Sequence, residues 1–467
     1  MSTLPAPLPT SIAPSFDQTG LTRAQAANVL FGMLAALFLI WPIWRIAFPL
    51  EINRNEPWNA WFVDAILHGA PLYPGGEEFI VNNYPPLSFY AVALLSKLTG
   101  DVVYAGRLIS LISTAAISVS IAFCIRALGG SRPVALFGAL WFLATIAHFF
   151  TRYVGVNDPN LLALAVMGLA LALFLTRLSK EKSVAPAIAL MVLAGFIKHN
   201  LIAIPLAALI WLSLKDRGEA LRATLLGTVL AALGLLICAS FYGPNFLQQM
   251  LMPRQISIAH MLSIVGKLQW FAPALLFWGL WAWPNRNSPE GRFSALLIGV
   301  SLASDLLQAA GAGVSINAHF EILFATGIAV ALAFEGIGNT PVARRFGARA
   351  IQTAIILVLV LRLVLSQQLE PYLVLASPEF REEVGQNLAA MDAEVERIRL
   401  MPGPVACSTM AVCYRAGKAF VYDDFWMGQL LAKGRWTKDA VDQAVKERGI
   451  RFEKIDANVQ REKKRLF

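Results

Sequence analysis

The chain has 467 residues, 57% of them hydrophobic and only 15% charged, with a formal net charge of +9 and a mean hydropathy of +0.58. A soluble domain carries about a quarter of its residues as Asp, Glu, Lys and Arg, so the composition excludes an ordinary soluble protein and points to a polytopic membrane protein. Much of the positive charge lies in short loops between apolar runs and in the basic C-terminal tail, which positive-inside bias explains without nucleic acid as a partner.

Residues 1–24 are rich in Pro, Ser and Thr and are read as a disordered cytoplasmic tail. The first apolar run, 27–49, starts too far in for a usual signal peptide, and no small-residue cleavage site follows it. It is expected to be retained as a signal-anchor helix. Further runs at 103–125, 133–150, 161–177, 184–198, 201–214, 219–242, 269–284, 293–312, 318–336 and 349–366 bring the expectation to about eleven spans. Segments 184–198 and 201–214 are either two tight helices or one long broken one. The run 86–99 is only about 14 residues long and follows Pro85-Pro86, which favours an interfacial helix over a span.

That placement fixes the topology. With 86–99 on the membrane surface, five basic loops fall on one side: Arg126/Arg132, Arg177/Lys180/Lys182, Lys215/Arg217/Arg222, Arg286/Arg292 and Arg344/Arg345/Arg349. Positive-inside bias makes that side the cytoplasm, with the N-terminus inside and the C-terminus outside. The opposite face then collects the acidic loop 50–102, the loop 151–160, the turn 198–200, the loop 243–268 and the stretch 311–321. Residues 367–467 have soluble composition and read as a small α/β domain on that face. The expected elements are a helix over 379–400, strands at PVACS (404–408), AFVYD (419–423) and RFEKIDA (451–457), and helices at AVCYRAGK (411–418) and TKDAVDQAVKERG (437–449).

Candidate chemistry follows from this clustering. Glu56, in Asn55-Glu56-Pro57-Trp58, sits at a helix start with Asn55 as a suitable cap. It is either an acid favoured by the helix dipole or half of a catalytic pair. Asp158 precedes Pro159 and is either a helix cap or the other half. Two outward carboxylates can take a hydroxyl proton, hold a divalent metal ion, or both. Lys198 and His199 lie at the outer end of a span, where a cation suits a phosphate or simply snorkels to the interface. Arg107, Arg254 and Lys267 are further outer cations that read equally as solvated charges. Asp305, His319 and Glu321 lie in or at the ends of apolar runs, as intramembrane functional groups or as pairs between helices. Cys407 and Cys413 are spaced for a disulfide in an oxidising compartment. Gly-rich phosphate loops, H-E-x-x-H, G-x-S-x-G and cysteine-rich zinc patterns are missing.

The order of landmarks over roughly residues 27–370 resembles the membrane glycosyltransferases of the GT-C fold. The likeness is to the bacterial branch related to protein O-mannosyltransferases and the lipid A aminoarabinose transferase. The landmarks are Asn55-Glu56, the aromatic stretch Trp58–His68, the turn Gly69–Tyr73, Pro85-Pro86-Leu87, Arg107-Leu108-Ile109-Ser110 and Asp158. The resemblance implies a GT-C-like domain over 25–366, with 367–467 as a periplasmic domain of a bacterial inner-membrane protein. It implies sugar transfer from a polyprenyl-phosphate carrier to a glycan, lipid or protein acceptor at the outer face. Glu56 and Asp158 would be catalytic; Arg107, Lys198, His199, Arg254, His319 and Glu321 would bind substrate. No cofactor is implied with certainty, since related families differ in needing a divalent metal. The chain departs from the family at Asn55, where an aspartate is usual and is often assigned as the base. A secondary transporter or flippase, or a non-catalytic membrane scaffold, are the alternative readings.

Overall fold

The structure, a computed structural model, describes residues 18–75, 79–252, 254–366 and 368–455. Glu77, Glu78 and most of the expected N-terminal tail lie outside the described residues, and the first helix, Gln18–Arg45, already includes residues 18–24. Each of the expected spans contains a helix, though not all of these helices are long enough to cross a bilayer by themselves. Among the described residues seven helices are long and apolar enough to cross a bilayer. Ile258–Trp270 and Ala272–Ala282, bent by 72° where they meet, add an eighth if taken as one span.

Length explains the difference. Ala185–Ile197 and Ala203–Lys215 have 13 residues each, about 20 Å of helix against a hydrocarbon core of about 30 Å. They are two helices, not one broken one. Residues 182–185 at the start of the first and Leu212 and Asp216 at the end of the second line one cavity, so the pair runs antiparallel. Ala348–Val364, at 17 residues, is also short. Leu87–Thr99 is a separate 13-residue helix. Its exposed residues Tyr90, Leu94 and Leu98 form one apolar stripe at i, i+4 and i+8 while Ser88 and Ser96 are buried, as suits a helix lying along a membrane surface.

The bundle is organised around Phe320–Gly336, nearly all of which is buried. It packs on Val102–Ala127, Arg132–Phe149, Ala272–Ala282 and Pro289–Ala309. Without a hydrophobic drive between helices in lipid, close approach of small residues supplies the packing. At Gly138 a Cβ would sit 2.7 Å from the Gly327 carbonyl oxygen, so glycine there sets the separation of two central helices.

At one end of the bundle the five predicted outer segments meet. Asn55 and Asn59 bond to the 157–158 turn, Lys198 lies over Tyr84, Asn82 bonds to Gln249, Ser257 bonds to Ala310, and Tyr153 bonds to Asn317. The C-terminal residues pack on the same end through Glu51–Ala411, Trp58–Asp423 and Trp61–Lys418 hydrogen bonds. They form the helix Pro378–Leu400, helices Met410–Arg415 and Lys438–Glu447, and a parallel pair of strands, Val405–Cys407 and Arg451–Glu453. The strand expected at 419–423 does not form. That segment spends its polar and aromatic groups on the first loop, with Asp423 N donating to the Phe79 carbonyl and Phe420 stacked on Trp61, and leads into an unpredicted helix, Asp424–Ala432.

Candidate functional site

The site begins at the helix Asn55–Leu67. Its first turn holds Pro57, whose missing N–H costs nothing there. Asn55 is the first helical residue and not the cap, which is Arg54, and Asn53 Oδ1 accepts from the Asn55 N–H at 3.0 Å. This frees the Asn55 side chain to reach across and donate to Asp158 Oδ2 at 3.0 Å.

Glu56 is buried and fully engaged. Its carboxylate forms a two-pronged ion pair with Arg107, Nε to Oε1 at 2.7 Å and Nη2 to Oε2 at 2.8 Å. It also accepts from the Ile52 N–H at 3.0 Å and the Asn157 N–H at 3.1 Å. Arg107 donates as well to the carbonyls of Ile46, Phe48 and Leu50. Both residues are thus committed to each other and to the backbone. Arg107 occupies the oxygens that a base or metal ligand would need, and its own donors clamp the chain between the first span and the helix at Asn55. The pair is a brace: breaking one partner of such a buried pair costs about 3–5 kcal/mol.

Asp158 is 7% exposed and caps the helix Pro159–Leu178. Oδ1 accepts from the Asn160 N–H at 2.9 Å and from the Asn160 amide. Asn157 before it is locked to Glu56, and Gly106 makes the room, since a Cβ at Gly106 would lie 2.0 Å from the Asn157 amide oxygen. Glu56 and Asp158 are thus held together through Asn55 and Asn157, at one end of the bundle.

Lys198 closes the other side. It sits in the turn between the two short helices, buried, with Nζ 2.9 Å from the centre of the Tyr84 ring. Burial lowers its pKa well below the ordinary value; Asp158 opposes that shift and Arg254 adds to it. The positions 158, 198 and 254 therefore share one electrostatic neighbourhood around Tyr84. Among the described residues neither Lys198 nor Arg254 forms an ion pair. His199 is next to Lys198 and exposed.

The remaining candidates serve the bundle. His319 is buried with Nδ1 2.9 Å from both Asp305 oxygens and Nε2 3.0 Å from the Ile264 carbonyl, so both ring nitrogens are used. Glu321 Oε1 accepts from the Ile204 N–H at 2.9 Å and caps the helix Ala203–Lys215. Both were expected to bind substrate; in the structure their polar groups bond to Pro289–Ala309, Ile258–Val265 and Ala203–Lys215. Cys407 and Cys413 form a disulfide. Among the described residues no three His, Cys, Asp or Glu side chains come together as a metal-binding group.

Sequence reasoning missed Asp423. It is buried, caps the helix Asp424–Ala432 and accepts from Trp58 Nε1 at 3.0 Å. The available signal was the Asp-Asp doublet ahead of Phe-Trp-Met, a helix cap that was read as the end of a strand.

Comparison with known proteins places this arrangement. Residues 83–242 match the family model for dolichyl-phosphate-mannose-protein mannosyltransferase, a stretch that contains Tyr84, Arg107, Asp158 and Lys198. No curated protein matches the chain. Among solved structures the chain is similar to ArnT from Cupriavidus metallidurans in the apo state, with a TM-score of 0.57 and 13% identity over 90% of each chain. The same protein bound to undecaprenyl phosphate gives a TM-score of 0.54 and 13% identity over 87% of this chain and 88% of that one. The chain therefore has the polytopic membrane fold of ArnT, and residues 83–242 resemble the dolichyl-phosphate-mannose-protein mannosyltransferase family in sequence.

Proposed function

We propose that the chain is a glycosyltransferase that moves a sugar from a polyprenyl-phosphate carrier to an acceptor at the periplasmic face of the bacterial inner membrane. The observation that carries this reading is Lys198, buried over the Tyr84 ring in the electrostatic neighbourhood of Asp158 and Arg254. Among the described residues neither Lys198 nor Arg254 has a carboxylate partner, and both lie on the end of the bundle where the polar loops converge. Beside Arg254, Leu251, Ile256, Ile258 and Leu262 expose apolar surface along which a lipid tail can lie. Binding of undecaprenyl phosphate by ArnT supports the same class of donor here.

The chemistry follows from charge. As the bond between the anomeric carbon and the carrier phosphate breaks, positive charge grows on the sugar and negative charge on the leaving phosphate. Lys198 and Arg254 stabilise the phosphate. A buried lysine gains most from this role, because an incoming dianion restores the charge that burial disfavours. Asp158, held by Asn55 and Asn160, faces the growing positive charge. The Glu56–Arg107 brace fixes the loop that carries Asn55. A transport reading rests on intramembrane ionisable groups, and Asp305, within an apolar helix, is held by His319.

The test is a transfer assay in isolated membranes with labelled polyprenyl-phosphate sugars. Wild type transfers label to an endogenous acceptor and Asp158→Asn loses most of it. Undiminished transfer by Asp158→Asn, or none by wild type with any donor, refutes the assignment.

A further inference from the structure

A transferase of this kind needs a base for the acceptor hydroxyl, and the first loop does not offer one. Asn55 has no proton-accepting carboxylate, and Glu56 is consumed by Arg107 and two backbone N–H groups. Asp158 caps its own helix with Oδ1, which takes both Asn160 donors, and its Oδ2 is held by Asn55 in the neighbourhood of Lys198, on the side of the leaving phosphate.

Asp423 reaches the same place from the C-terminal residues. Its backbone N–H donates to the Phe79 carbonyl of the first loop at 2.8 Å. Its Oδ2 accepts from Trp58, one turn after Asn55, and the Trp58 ring lies 4.9 Å from that of Tyr84. Tyr84 in turn carries Lys198 on its face. Burial is the main cause that raises the Tyr84 pKa; Asp158 and Asp423 add to it and Arg254 opposes it. Asp158, Asp423 and Arg254 thus share the electrostatic neighbourhood of the tyrosine that Lys198 covers. The helix that Asp423 caps meets the segments around Arg254, with Gln429 accepting from the Gln255 N–H and Phe425 against Gly313. Each Asp423 oxygen accepts a single N–H, from Trp58 and from Trp426, which leaves each a lone pair.

We propose that Asp423 is the general base of the transfer reaction, so that the C-terminal residues complete the active site. The inference rests on the glycosyltransferase reading. In the step, the acceptor hydroxyl gives its proton to the Asp423 carboxylate as its oxygen bonds to the anomeric carbon. The bond from that carbon to the carrier phosphate breaks, and its electron pair leaves on the phosphate held by Lys198 and Arg254. The proton then passes from Asp423 to water. The charged and titratable groups facing Asp423 are Arg54 and Trp58's neighbour Tyr84 from the first loop, and Asp424 and Tyr422 from its own segment. Burial is the main cause that raises its pKa to about 6; the Trp426 and Trp58 hydrogen bonds and Arg54 lower it, and Asp424 raises it. A base with that value is ionised at neutral pH and still strong enough to take a proton.

The experiment measures kcat against pH for wild type and Asp423→Asn in nanodiscs. Wild type loses about tenfold per pH unit below about 6. Asp423→Asn falls about a hundredfold or more at pH 7.5 and loses that acid limb, with undecaprenyl-phosphate binding retained. An Asp423→Asn enzyme that keeps the rate and the limb overturns the proposal while leaving the glycosyltransferase reading intact. A wild type that transfers nothing overturns both. Where Asp423→Asn also loses undecaprenyl-phosphate binding, Asp423→Glu decides: a slower enzyme with the limb restored supports the base, and one without it refutes it.

Discussion

The sharpest consequence of the geometry concerns Glu56, which the family likeness marks as catalytic and the hydrogen bonds mark as structural. Glu56→Gln removes the charge but keeps the shape. It leaves the Arg107 guanidinium, 1% exposed, facing a neutral amide, and weakens the contacts to Ile52 and Asn157. Removing one partner of a buried pair costs about 3–5 kcal/mol. Smaller domains shift by about 2–4 °C per kcal/mol, so for this larger chain the expectation is a fall of roughly 5–10 °C. A thiol-reactive dye reads it directly, because Cys124 and Cys238 are buried and free. The double variant Glu56→Gln, Arg107→Gln should be less unstable than the two single losses added together, since it removes the orphaned charge. Turnover per folded molecule should change less than tenfold. If Glu56→Gln unfolds at the wild-type temperature and yet loses a hundredfold or more in kcat, the range expected for a lost acid or base, Glu56 is catalytic and the brace argument is wrong.

Three further outcomes are expected. Lys198→Ala should weaken undecaprenyl-phosphate binding about 10–100-fold, the worth of one charged hydrogen bond. Because burial lowers the Lys198 pKa, wild-type affinity should also fall with rising pH well before the ordinary lysine value; thermophoresis across pH checks both, and a pH-independent affinity contradicts the role. Cys413→Ser should cost about 2 kcal/mol from the short loop it opens, seen as faster limited proteolysis within 378–455 that reductant no longer accelerates. A cysteine introduced at Ile80 should be labelled by an impermeant maleimide in intact spheroplasts, and protection from it would contradict the periplasmic placement of the first loop.

The hydrophobic pattern carried most of the fold. Long apolar runs such as 103–125 and 219–242 needed only length and composition to be read, and the choice to lay Leu87–Thr99 on the surface followed from its short run and the basic loops. The 13-residue helices around Lys198 were harder, because a span below the bilayer thickness looks the same in sequence as half of a broken one. The site was legible in outline: 56, 107, 158 and 198 do gather at one end. Their roles were not, because whether a carboxylate is free or spent depends on partners 51 or 101 residues away, as with Glu56, Arg107 and Asn157. His319 and Glu321 drew attention as intramembrane charges, and only the structure shows Asp305 and the Ile204 N–H absorbing them. Asp423 was hidden by distance, since a contact between residues 58 and 423 leaves no local trace.

The central claim is that Lys198 and Arg254 receive the phosphate of a polyprenyl carrier. A cryo-electron microscopy structure of the chain in nanodiscs with undecaprenyl phosphate tests it directly. The account predicts phosphate density within hydrogen-bonding distance of Lys198 Nζ and the Arg254 guanidinium, beside Asp158 and Tyr84, with the tail along Leu251, Ile256 and Leu262. Phosphate bound elsewhere, with Lys198 still seated on Tyr84 and facing no ligand, would contradict it.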